Sequence, residues 1–238
     1  MDNAGYVSLT RQSGLLKEMQ TIANNIANLS TGGYRREGVV FSEFIRASGG
    51  DTESISFADA NGRMTDTSQG MLASTGGTFD FAIDGPGYFL LATPNGERLT
   101  RAGSFTPDQQ GELVSNDGYQ VLDIGGAPIF IPPDAKNIAL SPDGTLSADG
   151  LPVTQIGVVL PQNTRDMVRE SGVLFRADSG FTPTDGAILM QGFVEQSNVD
   201  PVMEMTRMIE VQRSYELSQK FLEREDDRIR SVVRVLGQ

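Results

Sequence analysis

The chain has 238 residues, 38% of them apolar, and a formal net charge of −12, enough material for one good core or two modest ones. It contains no cysteine and no histidine, which removes disulfides, thiolate chemistry, the usual neutral-pH general base and the commonest metal ligand, and with them most hydrolase triads and zinc sites. No apolar run approaches the length of a membrane-spanning helix and no basic-then-apolar leader opens the chain, so neither membrane insertion nor a cleaved signal is expected.

The N-terminal segment predicts a helix. Leu15, Met19, Ile22, Ile26 and Leu29 recur at intervals of 4, 3, 4 and 3, with Leu16, Ala23 and Ala27 widening the stripe, a spacing of coiled-coil type. Its end is unusual: the run "ANNIANLSTGGYRRE", Ala23 to Glu37, carries Asn24, Asn25 and Asn28 before Gly32 and Gly33. Asparagine competes for backbone hydrogen bonds and weakens an isolated helix, so groups outside this segment are expected to hold it. Glycine is favoured where a chain leaves a helix through a left-handed conformation, and Gly32 and Gly33 are the expected stop.

Residues 48–75 are polar and almost without periodicity, and residues 31–75 are taken as an extended connector. From Gly76 to Asp185 the texture changes to short strand-like runs punctuated by glycine, proline, asparagine and aspartate, which predicts an all-β domain of antiparallel hairpins. A weak repeat of proline-led turns, "TPNGERL", "TPDQQGELVSNDG" and "SPDGTLSADG", supports that reading. Residues 186–199 are a return connector, and residues 200–238 a second helix: Asp200 is placed to cap, Pro201 to occupy the first turn and Glu204 to face the positive end of the dipole. Met208, Val211, Tyr215, Ser218, Leu222, Glu225, Ile229, Val232 and Leu236 alternate intervals of 3 and 4, with Gly237 as the stop. The expected helix is about 54 Å long at 1.5 Å per residue, too long for one small domain to cover. The fold class is therefore α+β, with residues 1–30 and 200–238 forming a coiled-coil layer around a central β domain.

Charge is unevenly spread. Residues 48–197 hold seven basic and nineteen acidic side chains, whereas both ends are nearly neutral. An acidic middle repels phosphate and argues against nucleic acid, while mixed-sign ends suit packing against protein. Candidate chemistry is thin. The acidic turns lack the ligand spacing and twelfth-position glutamate of an EF-hand; Gly85 and Gly87 give G-x-G without the following helix that a dinucleotide needs; "EREDD" at Glu223 to Asp227 reads as a solvated helix face. Arg35 and Arg36 suit anion binding or pairing with acids such as Glu37, and Met203, Met205, Met208 and Tyr215 read as packing residues. No cofactor, metal or catalytic constellation is expected.

Both ends together resemble the axial proteins of the bacterial flagellum, the rod and hook family. The resemblance is carried by Ala23, Asn24, Asn25, Ala27, Asn28, Thr31, Gly33, Tyr34 and Arg35, by "AIDGPGYF", "TRAGSF" and "DGYQVL" in the middle, and by "EQSNVDPVMEMTRMIEVQRSYELSQKFL" near the C-terminus. Gly32 stands where many members have threonine or another polar residue. The opening "MDNAGYVSLTRQ" and the short length look most like proximal rod members; a distal rod or hook-type member is the alternative, and a peptidoglycan-cutting enzyme a rival of another class. The resemblance implies a structural subunit exported through the flagellar type III apparatus without cleavage, stacked with copies of itself and other rod proteins into the drive shaft that crosses the periplasm. It implies an assembly interface on the terminal helices, expected at Leu15, Met19, Ile22, Asn24, Asn25, Ile26, Asn28, Leu29, Met208, Val211, Tyr215, Leu222, Ile229, Val232 and Leu236. Because an amide carries both donors and acceptors, we expect Asn24, Asn25 and Asn28 to satisfy groups at close helix contacts there.

Overall fold

The computed structural model describes residues 2–46, 55–184 and 186–236, and side chains over 8–41, 62–184 and 186–235. The chain divides into two compact units: a terminal unit of residues 1–29, 36–67 and 199–238, and a central unit of residues 30–35 and 68–198.

In the terminal unit, helix α1 runs Asp2–Ala27 and helix α2 runs Pro201–Leu236. Helix α1 begins well before the apolar stripe that announced it. The helix ends at Ala27, before the glycine pair expected to stop it; the chain turns from Asn28 onward, and of the pair Gly33 takes the left-handed conformation, at φ 71°. Helix α2 starts where the sequence places it: the Asp200 carboxylate accepts from the amides of Val202 and Met203 at 2.8 and 3.1 Å, satisfying donors that the first helical turn leaves free. Gly237 and the side chain of Leu236 lie outside the described residues.

Between these helices in sequence, the stretch expected as an extended connector contains strands β1 (Glu37–Arg46) and β2 (Ile55–Thr65), paired antiparallel with a register shift between Val40 and Phe41. The physical reason lies in "EGVVFSEFIR", where β-branched and aromatic residues favour a paired strand over a solvated linker.

The central unit is built of β-strands, with one short 3-10 turn at Thr164–Asp166 among its described residues. Its strands are β3 (Leu72–Ser74), β4 (Phe81–Asp84), β5 (Tyr88–Thr93), β6 (Gly96–Thr100), β7 (Phe105–Pro107), β8 (Leu113–Ser115) and β9 (Gln120–Val121). There follow β10 (Ile138–Leu140), β11 (Thr145–Ala148), β12 (Leu151–Gln155), β13 (Val158–Pro161), β14 (Met167–Ser171), β15 (Leu174–Ala177), β16 (Phe181–Pro183), β17 (Ile188–Gln191) and β18 (Phe193–Glu195). The main sheet has the order β14-β15-β6-β5-β9-β8-β7, with β13 bridging β5 and β16; β10-β11-β12 form a separate meander. The residues expected as a return connector contain β17 and β18, which pair antiparallel with β4 and β3. Their signal is the apolar run "AILMQGFVE", long enough for two short strands split by Gly192.

Strand β5 shows why the sheet forms. Its side chains alternate between two cores: Phe89 and Leu91 join Phe81, Ile83, Phe105, Leu113 and Val121 on one side, while Tyr88 and Leu90 join Leu99, Met167 and Phe175 on the other. A strand buried on both faces reads as a continuous apolar run, here "YFLLA". The three proline-led turns join β5 to β6, β7 to β8, and β10 to β11.

Candidate assembly interface

Helices α1 and α2 pack antiparallel. Leu15, Ile22 and Val211 are buried together, with Met19, Ile26, Met208 and Tyr215 packed partly buried around them, and the Arg207 guanidinium donates to Glu18 at 2.7 Å along the flank. The periodicities of both helices therefore converge on a shared seam. Its buried members turn inward within the chain. Farther along α2, Leu222 is half-buried, Ile229 is 42% exposed and Val232 44%. A second apolar set lies outside that buried cluster: Val202, Met203, Met205, Ile209, Leu217 and Phe221 are all exposed, so Met203 and Met205, expected as packing residues, are not covered within the chain, whereas Met208 and Tyr215 are packed against the seam. An open cleft of about 430 Å³ lies beside the seam, lined by Ser8, Arg11, Ser214, Leu217, Ser218 and Phe221.

The three asparagines occupy three different environments. Asn24 is exposed. Asn28 donates to the Asn24 carbonyl at 2.8 Å, and with the half-buried Leu29 closes the end of α1. Asn25 is fully buried, and its amide donates to the Glu37 carbonyl at 2.8 Å and to Glu204 Oε2 at 3.0 Å while accepting from the Glu37 amide at 3.0 Å. Glu204 in turn accepts from Arg36 Nε at 2.5 Å. One side chain thus ties the end of α1, the start of β1 and the first turn of α2 together. The amide chemistry expected of asparagine is present, but at Asn25 it is spent inside the chain, where its oxygen and nitrogen meet the paired N–H and C=O of one residue on β1.

In the central unit, Arg35 and Glu195 are fully buried and form an ion pair. The other carboxylate oxygen of Glu195 accepts from Arg101 Nη1 at 3.1 Å. Glu195 also accepts from the Gly70 amide at 2.7 Å, and Arg35 reaches the Ser68 carbonyl at 2.8 Å. Arg101 continues to the carbonyls of Ile83 and Gly85, so the glycine turn between β4 and β5 is an acceptor for arginine. Burial lowers the Arg101 pKa and raises that of the neighbouring Tyr88 phenol. The Arg169 guanidinium stacks 4.3 Å from the ring centre of the buried Tyr34. Arg35 and Arg36 are therefore structural pins whose partners are Glu195 and Glu204 rather than Glu37. No local spacing signals these pairs, since each partner lies some 160 or more positions away.

The acidic turns behave as turns. Asp108 accepts from the amides of Gln110 and Glu112, Asp123 from Gly125 and Ala127, and Asp143 from Thr145, which holds the Asp143 carboxyl below the ordinary range. These are side-chain-capped turns. Glu225 and Asp226, in the acidic run, pair with Arg228 and Arg230 one helical turn on. Among the described residues no acidic cluster is arranged to hold a metal ion, and no helix is long and apolar enough to cross a membrane.

Residues 6–35 match the family described as flagella basal body rod protein, residues 82–148 the flagellar hook protein FlgE/F/G D1 domain, and residues 190–235 the flagellar basal body rod FlgEFG protein C-terminal. The flagellar basal-body rod protein FlgF of Mesorhizobium japonicum is 39% identical over 219 residues, covering 91% of this chain and 90% of that one. FlgF of Caulobacter vibrioides is 37% identical over 243 residues, 100% and 99% of the two chains, and the rod protein FlgG of Bacillus subtilis is 32% identical over 255 residues, 96% and 97%. With its terminal helices, its β-rich middle and full-length similarity of this degree, the chain belongs to the flagellar basal-body rod protein family, as a FlgF-like structural subunit.

Proposed function

We propose that this subunit stacks helically in the proximal part of the rod, with copies of itself and with other rod proteins, and that it carries torque along the shaft across the periplasm. The terminal helices form a coiled-coil layer of that shaft, and the chain reaches its place through the flagellar type III apparatus without losing an N-terminal segment. The greater identity to FlgF than to FlgG relatives favours the proximal position over the distal one.

The observation that carries the reading is the unpaired apolar surface of α2. Ile229, Val232, Val233 and Val235 are between 42% and 77% exposed on one helix end, and each returns about 1.5–3 kcal/mol on full burial. A helix that buries one stripe inside its own chain and leaves so much apolar surface at its far end is built to be covered by a neighbour. Of the interface residues expected from the sequence, Leu222, Ile229 and Val232 remain available for contacts between subunits, and Asn24 is the asparagine free to meet one. Leu15, Ile22, Val211 and Asn25 serve by holding the helix pair in shape.

The test is Ile229→Asp and Val233→Asp. Each places a carboxylate in a contact that becomes dry on assembly, where an unpaired charge costs several kcal/mol. Both sites are exposed in the isolated chain, so its circular dichroism and melting should stay at parental values. The variants should be absent from purified basal bodies, and cells should not swim. Normal incorporation and motility for both would refute the assignment of this surface.

A further inference from the structure

A second cleft, of about 270 Å³, lies within the central unit, lined from β12, β13 and β17 and from the turns that follow β9 and β10. Its floor is apolar, since Ile156, Val158 and Leu189 are buried beneath it, and Ile124, 47% exposed, forms an apolar wall. The polar lining offers oxygens: the Asp143 carboxylate, the Thr184 hydroxyl and the amide oxygen of Gln155, whose nitrogen donates to the Asp143 carbonyl at 2.7 Å. Each carboxylate oxygen of Asp143 accepts one bond from Thr145, at 3.0 and 2.9 Å, and keeps a lone pair for a further donor. Those bonds hold the carboxyl below its ordinary range, so it is an anion at neutral pH.

The cleft is smaller than the roughly 300–1,000 Å³ of small-molecule pockets and suits one long side chain. An apolar floor under an acidic rim matches a side chain with a hydrocarbon stem and a cationic head. Separate acceptors on three residues match the three donors of an ammonium better than the planar fork of a guanidinium. That cation has to come from another molecule. Among the described residues no basic side chain lines the cleft, and Arg98, Arg101, Arg169 and Arg176 are bonded to carboxylates or carbonyls of their own unit. With seven basic and nineteen acidic side chains over residues 48–197, this surface is complemented by a partner that brings positive charge.

We propose that this cleft is a socket for a lysine side chain of a neighbouring rod subunit, with the four-carbon stem on Ile156, Val158 and Leu189 and the ammonium on the Asp143 carboxylate. The socket's place in assembly rests on the rod reading; its selectivity for a primary ammonium does not.

The test is a methyl NMR titration of the full chain with N-acetyl-lysine methylamide, and with N-acetyl-norleucine methylamide as the uncharged probe. The lysine probe should shift the methyl signals of Ile156, Val158 and Leu189 saturably in the millimolar range, and the norleucine probe should bind about fivefold or more weakly. Asp143→Asn keeps an acceptor for Thr145 and should weaken the lysine probe by about the same factor; Asp117→Asn, at an exposed turn elsewhere in the unit, should leave it unchanged. Equal binding of the two probes, no saturable shift at the cleft, or parental affinity in Asp143→Asn would overturn the proposal. Should Asp143→Asn lose the dispersed spectrum, Ile124→Lys decides, since it sets a like charge at the rim: loss of lysine binding supports the socket and parental binding contradicts it. In purified basal bodies a zero-length carbodiimide should join Asp143 to a lysine of another molecule, and a cross-link confined to the same chain, or none, would overturn the docking. Failure of the rod reading is distinguishable, because the chain itself would then be missing from those basal bodies.

Discussion

Replacing Asn25 by alanine, with Asn24→Ala as its neighbour control, separates a structural asparagine from a surface one within a single dipeptide. Asn25→Ala removes two donated bonds and one accepted bond, at 2.8, 3.0 and 3.0 Å, from a site with no solvent exposure. Two of these are neutral, worth about 0.5–1.5 kcal/mol each, and the one to the Glu204 carboxylate is worth about 1.5–3 kcal/mol. Alanine returns about 0.5 kcal/mol through its better helix propensity, which leaves a net loss of about 2–5.5 kcal/mol. Asn24 is exposed, so there the propensity gain stands alone and Asn24→Ala should be neutral or slightly stabilising. Urea unfolding of the full chain followed by far-ultraviolet circular dichroism measures both. Hydrogen exchange at the Glu37 amide, which donates to Asn25, should lose protection in the first variant and keep it in the second. A loss below about 0.5 kcal/mol for Asn25→Ala, or equal losses for the two, would refute the assignment of Asn25 as the tie between α1, β1 and α2.

Gly33→Ala should destabilise the central unit by more than about 2 kcal/mol, since φ is 71° and an added Cβ would lie 2.2 Å from the Ala102 amide nitrogen; Gly32→Ala, whose Cβ would meet only the Glu195 carbonyl at 3.4 Å, should melt near the parent. Hydrogen bonds from Arg98, and then from Arg176, hold the Glu170 carboxyl below its ordinary range. The folded pKa is depressed, so this stabilisation is present above about pH 4.3 and is lost as pH falls through the lowered value; Glu170→Gln should flatten the acid side of a Tm-against-pH series, and an identical slope would contradict the pairing. Burial, opposed by Arg35 and Arg101, raises the Tyr88 phenol, so above about pH 10 the unfolded chain gives up this proton first and stability falls. Tyr88→Phe should remove that part of the alkaline slope.

The parts of the fold legible in the sequence are those with a local cause. Asp200 and Pro201 mark the start of α2 because capping acts within one turn, and the strands β5 to β8 announce themselves through short strand-like runs set between proline-led turns. The hairpin of β1 and β2 was hidden because β2 lies inside the polar run of residues 48–75, although Val39, Val40 and Phe41 supplied a strand signal for β1. Strands β17 and β18 were read as connector because three or four residues are too few for a period to show. Among the assembly residues, the helical spacing marked Leu15 and Ile22 on one helix and Val211 on the other, which the structure buries together, but spacing cannot say whether the chain itself or a neighbour covers such a stripe. Arg35 suggested anion binding or pairing with an acid, but nothing local pointed to Glu195 or Arg101 as members of its network. Their pairing depends on chain segments brought together by the sheet, and an arginine beside a helix end looks the same in sequence whether it is solvated or buried.

The most direct test of the central claim is an electron cryo-microscopy map of basal bodies from cells that carry this chain, at a resolution that places side chains on α2. The chain should be found in the proximal rod, with Ile229, Val232 and Val233 packed against a neighbouring subunit and Asn25 still bonded to Glu37 and Glu204 of its own chain. A map in which that end of α2 faces open solvent, or in which the rod is complete without this chain, would contradict the account.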